Sequence, residues 1–367
     1  MTPIDRVKEH EVKVARAKRL SQVQGCFLGV AIGDAMGMPV ETMTAAEIRE
    51  KTGGRGVIGF MDSIQQNLRS IAGYTAGKTT DDWQLTRALA QCLMIDGAYV
   101  SSSVAQAYVR EYDRCRAGWG GTTKKSVVEL KEYFESGGVN GRSFFDVALP
   151  AEPGKGAGNG VAMKVTPLAI MAGLPNEEKA FYRFKRMAIT DGLMTHPDPR
   201  ATIAACVLGC VMMGQLRDPI VNVTDEIVRQ HLTGARDVAI ALEESLQSEF
   251  PEKYWNDDTI SRRLTRIIDN QWWKDVDALV KGNGNSSFSP ASVPFSIAMY
   301  YRNPHDFRTA ILETVNAGGD TDTNASMVGA LVGITNGLDC IPPDWRYFRS
   351  EFEEAVTLGE EFFKKFA

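Results

Sequence analysis

Apolar residues recur every three to four positions along most of this 367-residue chain, and that spacing confines it to a fold built from helices. Val104, Tyr108 and Tyr112 form one stripe behind the serines at 101–103; Val127, Leu130 and Phe134 form a second, and Phe181, Phe184 and Ala188 a third. The same period predicts helices over 83–96, 199–213, 235–249, 259–270, 306–316, 325–336 and 347–365. Alternating, strand-like stretches are few and short, and nothing repeats as a strand-helix-strand unit. The expected class is therefore all-α, a single large orthogonal helical domain. Glycine and proline mark loops at 51–60, 117–123, 136–144, 149–160 and 281–290, long for connections in a compact domain, and long loops tend to carry function. Residues 1–22 read as an added amphipathic helix, with Ile4, Val7 and Val14 against Arg6, Lys13, Arg16, Lys18 and Arg19, ahead of a main domain at 23–367.

Composition narrows the function classes. A formal charge of -5 argues against a general affinity for nucleic acid or anionic membrane, both of which demand a broad basic face. No apolar run is expected to reach the ~20 residues of a spanning helix, and the charged start carries no signal-type stretch, so a cytosolic protein is expected. The six cysteines, at 26, 92, 115, 206, 210 and 340, form no CxxC pair and no zinc spacing with the four histidines. They read as reduced thiols, with Cys206 and Cys210 on one face of a core helix.

Chemistry concentrates in two acidic clusters at helix starts. Thr80-Asp81-Asp82 precedes the apolar run 83–94, and Asp320-Thr321-Asp322-Thr323 follows Gly318-Gly319 and precedes the run 324–336. Either one alone reads as a helix cap, since such side chains satisfy free N–H groups and suit the positive end of the helix dipole. A cap needs one such residue, however, and two carboxylates within three positions repel. Doing this twice calls for a counter-charge, which a divalent cation supplies; with soft ligands missing, Mg²⁺ or Mn²⁺ fits better than Zn²⁺. Together the clusters point to a fold that closes its two ends around a dinuclear metal centre. A weaker rival is the relaxed P-loop pattern at 72–79, in which Lys78 and Thr79 would address phosphate of a nucleoside triphosphate. The run before it is no buried strand and the parallel sheet it requires is missing.

The segments 25–41, 80–86, 158–170, 195–201 and 316–337, in that order, resemble the motif set of the ADP-ribosylglycohydrolase family. The resemblance implies an all-α fold around two Mg²⁺ or Mn²⁺ ions and removal of ADP-ribose from modified protein side chains, arginine favoured and serine second. It carries metal-ligand roles to Thr80, Asp81, Asp82, Asp320, Asp322 and Thr323, and places Glu41 as the acidic residue near the scissile bond. Contacts to ADP-ribose are expected from Trp119, Gly120, Gly158, Asn159, Gly160, Met163 and His196. Two positions depart from the family pattern: Trp83 stands where a threonine is common, and Lys164 where an arginine is. An ADP-ribosylated protein is the partner this implies. Immunity proteins against ADP-ribosylating toxins also occur in the family, so residues 1–22 are a candidate arm for binding such a toxin.

The same residues also read on their own terms. Gly29, Gly33 and Gly37, four apart in an apolar helix, indicate close helix packing, and Asp34 among them reads as a satisfied internal partner. Asn159 sits between glycines in a loop expected to be too flexible for packing. Trp119, flanked by glycines, is a poor core position and a reasonable wall for adenine or ribose. His196, before Pro197, is expected to contact ligand or to cap the following helix.

Overall fold

The computed structural model describes residues 3–64, 73–137, 156–175, 177–248 and 258–367, with side chains from residue 9 onward. Helices account for nearly all regular structure. In chain order α1 is Pro3–Gly37, α2 Ala45–Lys51, α3 Asp81–Asp96, α4 Ser101–Arg114, α5 Gly121–Glu135, α6 Thr166–Gly173, α7 Ala180–Thr195 and α8 Pro199–Arg217. There follow α9 Asp225–Gln247, α10 Ile260–Asn270, α11 Val276–Asn283, α12 Ser289–Arg302, α13 Phe307–Asn316, α14 Thr321–Asn336, α15 Pro343–Arg346 and α16 Ser350–Phe366. Among the described residues the only strand-type pairing is two isolated bridges, Thr44 with Gly318 and Gly158 with Phe288. The all-α expectation holds, and the P-loop reading loses the sheet it needs. Lys78 instead lies exposed over the ring of Tyr74, 5.0 Å from its centroid.

Helical periodicity located the elements well wherever one face is polar. Val104, Tyr108, Tyr112, Val127, Leu130, Phe184 and Ala188 are all buried, whereas Phe181 is exposed. The helix α12 went unpredicted because its serines and prolines read as a loop. Pro290 lies in its first turn, where a missing N–H costs nothing, and the helix is buried along almost its whole length, so no polar face marks its period. The expectation that no helix reaches spanning length is corrected: Glu9–Val40 and Pro199–Arg217 are long and apolar enough by length and composition. Both are core helices, with the most apolar stretch 94% and 89% buried. Side chains of Ile4 and Val7, and the loop residues 138–155, lie outside the described residues.

The N-terminal extension and the first motif share one helix, since α1 runs unbroken from Pro3 to Gly37. Residues 9–18 are exposed, including Val12 and Val14. Arg16 lies over the ring of Phe363, Arg19 donates to the carbonyl of Leu174, and from Gln22 onward α1 is core.

The centre of the molecule is the antiparallel crossing of α1 and α14. A Cβ added at Gly29 would lie 2.1 Å from the carbonyl oxygen of Gly329, one at Gly33 2.1 Å from that of Ala325, and one at Gly333 2.1 Å from that of Gly25. At the far end Gly37 meets the backbone of Thr321 in the same way. Small residues every fourth position thus let two backbones touch along four turns, and α16 closes on the other side with Phe362 edge-on to Phe27. Neither backbone can yield. Gly29→Ala should therefore cost about 3 kcal/mol or more by overpacking. The exposed helical Gly234, where an added Cβ meets nothing within 4 Å, should by contrast gain about 0.5–1 kcal/mol as Gly234→Ala. Urea midpoints of the two variants check both signs.

Candidate metal centre and its cleft

The glycine crossing decides where the acids meet. Asp34 follows Gly33 on α1, and α1 ends in a short buried 3₁₀ turn, Met38–Val40, that delivers Glu41. The turn is tied to the other end of the chain: Thr42 N–H donates to the Gly319 carbonyl at 2.8 Å, and Gly319 N–H to that of Met43 at 2.8 Å. Gly318 and Gly319 hold φ of +74° and +78°, which only glycine adopts without strain, and their close approach leaves Asp320 beside Glu41. The strand-type bridge between Thr44 and Gly318 belongs to this junction.

Capping does not account for the acidic clusters. The side chain of Thr80 makes no cap bond to α3, and that of Asp320 none to α14. The cap of α3 comes instead from α1: Asp34 accepts from the N–H of Thr80 at 2.8 Å, from its hydroxyl at 2.8 Å and from the N–H of Trp83 at 3.1 Å. That releases Asp81 and Asp82. Asp81 accepts from the N–H of Gly120, Asp82 Oδ2 from the hydroxyl of Thr323, and Asp322 Oδ1 from the N–H of Thr323. Asp82 Oδ1 is buried with no hydrogen-bond partner, a costly state for a carboxylate oxygen unless something else satisfies it.

Two triads have carboxylate oxygens within 4.8 Å of one another: Asp34, Asp82 and Asp322, and Glu41, Asp320 and Asp322. They share Asp322. The beside-lying cavity of about 180 Å³ is lined, among the described residues, by Glu41, Asp81, Asp82, Asp320 and Asp322, by no lysine or arginine, and by the glycines 118, 120, 121, 158 and 160. An all-oxygen donor set with an orphaned carboxylate oxygen suits a hard divalent cation. Of the residues expected as ligands, Asp82, Asp320 and Asp322 fall in the triads, while Asp81 and Thr323 line the cavity. Thr80 lies behind the wall. The triads add Asp34 and Glu41, which the sequence placed instead as a satisfied internal partner and as the acid near the scissile bond. The signal for Asp34 was there in the acid placed within a fully apolar helical stripe.

A larger hollow of about 580 Å³ opens between α8 and α9, lined by Gly214, His231 and Tyr301 among others, but gathers no carboxylate cluster.

The cleft wall corrects two expectations. Trp119 is core: its Nε1 donates to Gln84 Oε1 at 3.1 Å, its ring meets Tyr112 at 5.0 Å between centroids, and its glycine neighbours face the cavity in its place. The positive φ of Gly118 makes this reversal, setting its Cα against Thr80 and Asp81. Asn159, expected in a flexible loop, lines the cavity but is buried in a 3₁₀ turn, with its amide donating to Asp320 and Ser292. Gly158, Gly160, Met163 and His196 line the cavity beside it, with Gly120 opposite. The cap of α8 is Asp198, so His196 is left to the cleft; burial first and Lys164 second lower its imidazole to about 3, keeping it neutral. Neither departure from the family pattern touches the cavity. The Trp83 ring packs edge-on to Phe27, and Lys164 is fully buried in an ion pair with Asp191, which also accepts from Tyr108.

Burial and mutual repulsion act on the acids in one direction. Burial, opposed by the bonds from Thr80 and Trp83, pushes Asp34 up to about 7; burial and then the Asp34 charge push Asp81 up to about 7. Burial, then the charges of Asp320 and Asp81, push Glu41 up to about 8, and burial raises Asp82 and Asp322 well above the ordinary carboxyl range. Each holds more protons folded than unfolded. The stability of chelator-treated protein should therefore fall as pH rises from about 4, the ordinary carboxyl value, through about 7 to 8. Added Mn²⁺ should raise Tm most at the alkaline end, because the ion takes the deprotonated carboxylates, and Asp322→Asn, which touches both triads, should abolish that rise. Melting curves from pH 5 to 8.5 with and without Mn²⁺ would read this; a Tm that climbs with pH without cation would refute it.

Comparison with known proteins places this arrangement. The ADP-ribosylglycohydrolase family model matches residues 15–367. The chain is 24% identical to the ADP-ribosyl-[dinitrogen reductase] glycohydrolase of Rhodospirillum rubrum over 88% of this chain and 87% of that one. It is 24% identical to the ADP-ribosylhydrolase ARH3 of Homo sapiens, over 95% of each. A solved structure of an ADP-ribosylglycohydrolase-related protein complex superposes with a TM-score of 0.63 at 22% identity, covering 96% of this chain and 100% of that one. With the motifs in order and the acids assembled at one centre, the chain belongs to the ADP-ribosylglycohydrolase family.

Proposed function

We propose that this protein hydrolyses the bond between ADP-ribose and a modified protein side chain, arginine before serine, with two Mg²⁺ or Mn²⁺ ions held by the two carboxylate triads. The observation that carries the reading is the convergence of those triads, sharing Asp322, on one wall of a cleft whose other walls are glycine backbone, Asn159 and His196. An acidic lining, with no lysine or arginine among the described residues, favours a cationic guanidinium at the scissile bond over a neutral hydroxyl.

When bound, the cations would supply the positive charge that orients the distal ribose hydroxyls and polarises water. The protein supplies the rest. The start of α5 has no side-chain cap, so free N–H groups of its first turn, among the lining residues Gly121, Thr122 and Thr123, would hold the pyrophosphate. Gly158 and Gly160 pack against His196 with no room for a Cβ at Gly160, 2.8 Å from the imidazole, which keeps a smooth slot for the nucleoside end. Glu41, half-buried at the rim, would accept a proton from the water attacking C1″ and deliver it to the departing nitrogen, as the C1″–O bond forms and the C1″–N bond breaks. Orientation and proton transfer together are the usual sources of such a rate gain.

Release of free ADP-ribose from an arginine-ADP-ribosylated protein, assayed with Mg²⁺ or Mn²⁺, tests the reading. Asp320→Ala and a chelator should each lower it by roughly a hundredfold or more. Faster release from a serine linkage would reverse the preference. No release from either by folded, cation-loaded protein would leave a binder of ADP-ribose or of an ADP-ribosylating toxin.

A further inference from the structure

Asp320, which belongs to the Glu41–Asp320–Asp322 triad alone, is reached by a directional chain of buried hydrogen bonds. The backbone carbonyl of Asn285 accepts from Asn324 Nδ2 at 2.8 Å, and a carbonyl can only accept. Asn324 must therefore turn its Oδ1 away, toward Ser292, whose hydroxyl donates to it at 2.7 Å. Having spent its one hydrogen, Ser292 Oγ can only accept at its other side, and it does so from Asn159 Nδ2 at 2.9 Å. The second hydrogen of that amide is left pointing at Asp320 Oδ2, 2.8 Å away. A flipped Asn159 would set its carbonyl oxygen against the carboxylate. Ser292 and Asn324 are fully buried and line no part of the cavity.

We infer that Ser292 is a positioning residue for one of the two cations: through Asn159 it fixes the rotation of Asp320 and so sets the affinity of the Glu41–Asp320–Asp322 triad, leaving the Asp34–Asp82–Asp322 triad alone. The inference rests on the two-cation reading above. It follows from the chain's polarity, which begins at a fixed backbone carbonyl and ends at a ligand oxygen, and from the fact that no member of the relay bonds to Asp34 or Asp82. Partners behind a metal ligand commonly govern affinity by about ten- to a hundredfold. The segment that supplies Asn285 and Ser292 bears no family motif, so this is also the route by which the middle of the chain reaches the centre.

Direct titration of the full chain with Mn²⁺, read by calorimetry and by the spin-resonance signal of free Mn²⁺, separates the outcomes. Wild type should show two classes of site. Ser292→Ala should weaken one class by about tenfold or more and leave the other within about twofold. Asn159→Ala, at the cavity wall, should produce the same asymmetric loss if Ser292→Ala folds poorly. Ser326→Ala is the control: its hydroxyl is buried on α14 with no hydrogen-bond partner, and its removal should leave both classes intact. Two wild-type classes that are unchanged, or equally weakened, in both relay variants would overturn the positioning role alone. A wild type that binds no Mn²⁺ would overturn the two-cation reading and the inference with it.

Discussion

Everything at the centre of this protein depends on two helix backbones touching. Gly25, Gly29, Gly33 and Gly37 meet Gly333, Gly329, Ala325 and Thr321 in antiparallel order, with no side chain between them. Helices ordinarily pack with axes 8–10 Å apart, separated by the side chains at the contact. Removing those side chains brings Asp34 and Glu41, at the carboxyl end of α1, onto Asp320 and Asp322 at the amino end of α14. The cleft inherits its acids from that crossing, and α3 adds Asp81 and Asp82 because Asp34 caps it from outside. Close packing and chemistry are therefore one feature: a methyl group in the crossing would part the triads as well as the helices.

The cost of the arrangement is electrostatic. Five acids share a partly buried space with no lysine or arginine among its described lining residues, and burial drives Glu41, Asp81, Asp82 and Asp322, with Asp34 behind them, toward the protonated form. Such a cluster lowers the stability of a cation-free protein at neutral pH, which is the usual relation between a prepared site and the fold that carries it. The hydrogen bonds around it are correspondingly complete. Asp34 accepts from three donors, the Thr80 N–H, the Thr80 hydroxyl and the Trp83 N–H, and Asp320 takes one from Asn159 while its own N–H is held by the Asn285 carbonyl at 3.0 Å. The orphaned Asp82 Oδ1 is the exception.

The loop between α11 and α12 is the quiet organiser of the cleft. Asn285 donates to the carbonyls of Ala317 and Gly318, Ser287 accepts from the N–H of Asn159, and Ser289 donates to the Gly158 and Ala157 carbonyls. The guanidinium groups of Arg200 and Arg263 both lie over the ring of Phe288, each held by a nearby aspartate. Two motif loops far apart in sequence are thus sewn to a third that carries no motif. This is why Asn159, expected in a flexible loop, is buried and held by hydrogen bonds on both its backbone and its amide.

How much was legible in the residues follows from range. Helical period, the fourfold spacing of small residues in α1, and doubled acids at two helix starts are local, and they sufficed for the all-α class, the close crossing and the suspicion of a metal centre. The family resemblance added roles that no spacing contains. Which acid serves which triad, however, depends on residues that are hundreds of positions apart and meet only after folding. So Asp34 is the internal partner it looked like, yet only folding shows that its oxygens also lie beside those of Asp82 and Asp322; Trp119 looked exposed because glycines flank it, and Asn285, Ser292 and Asn324 carried no signal. A side chain's surroundings come from other parts of the chain, and only tertiary packing brings those parts to it.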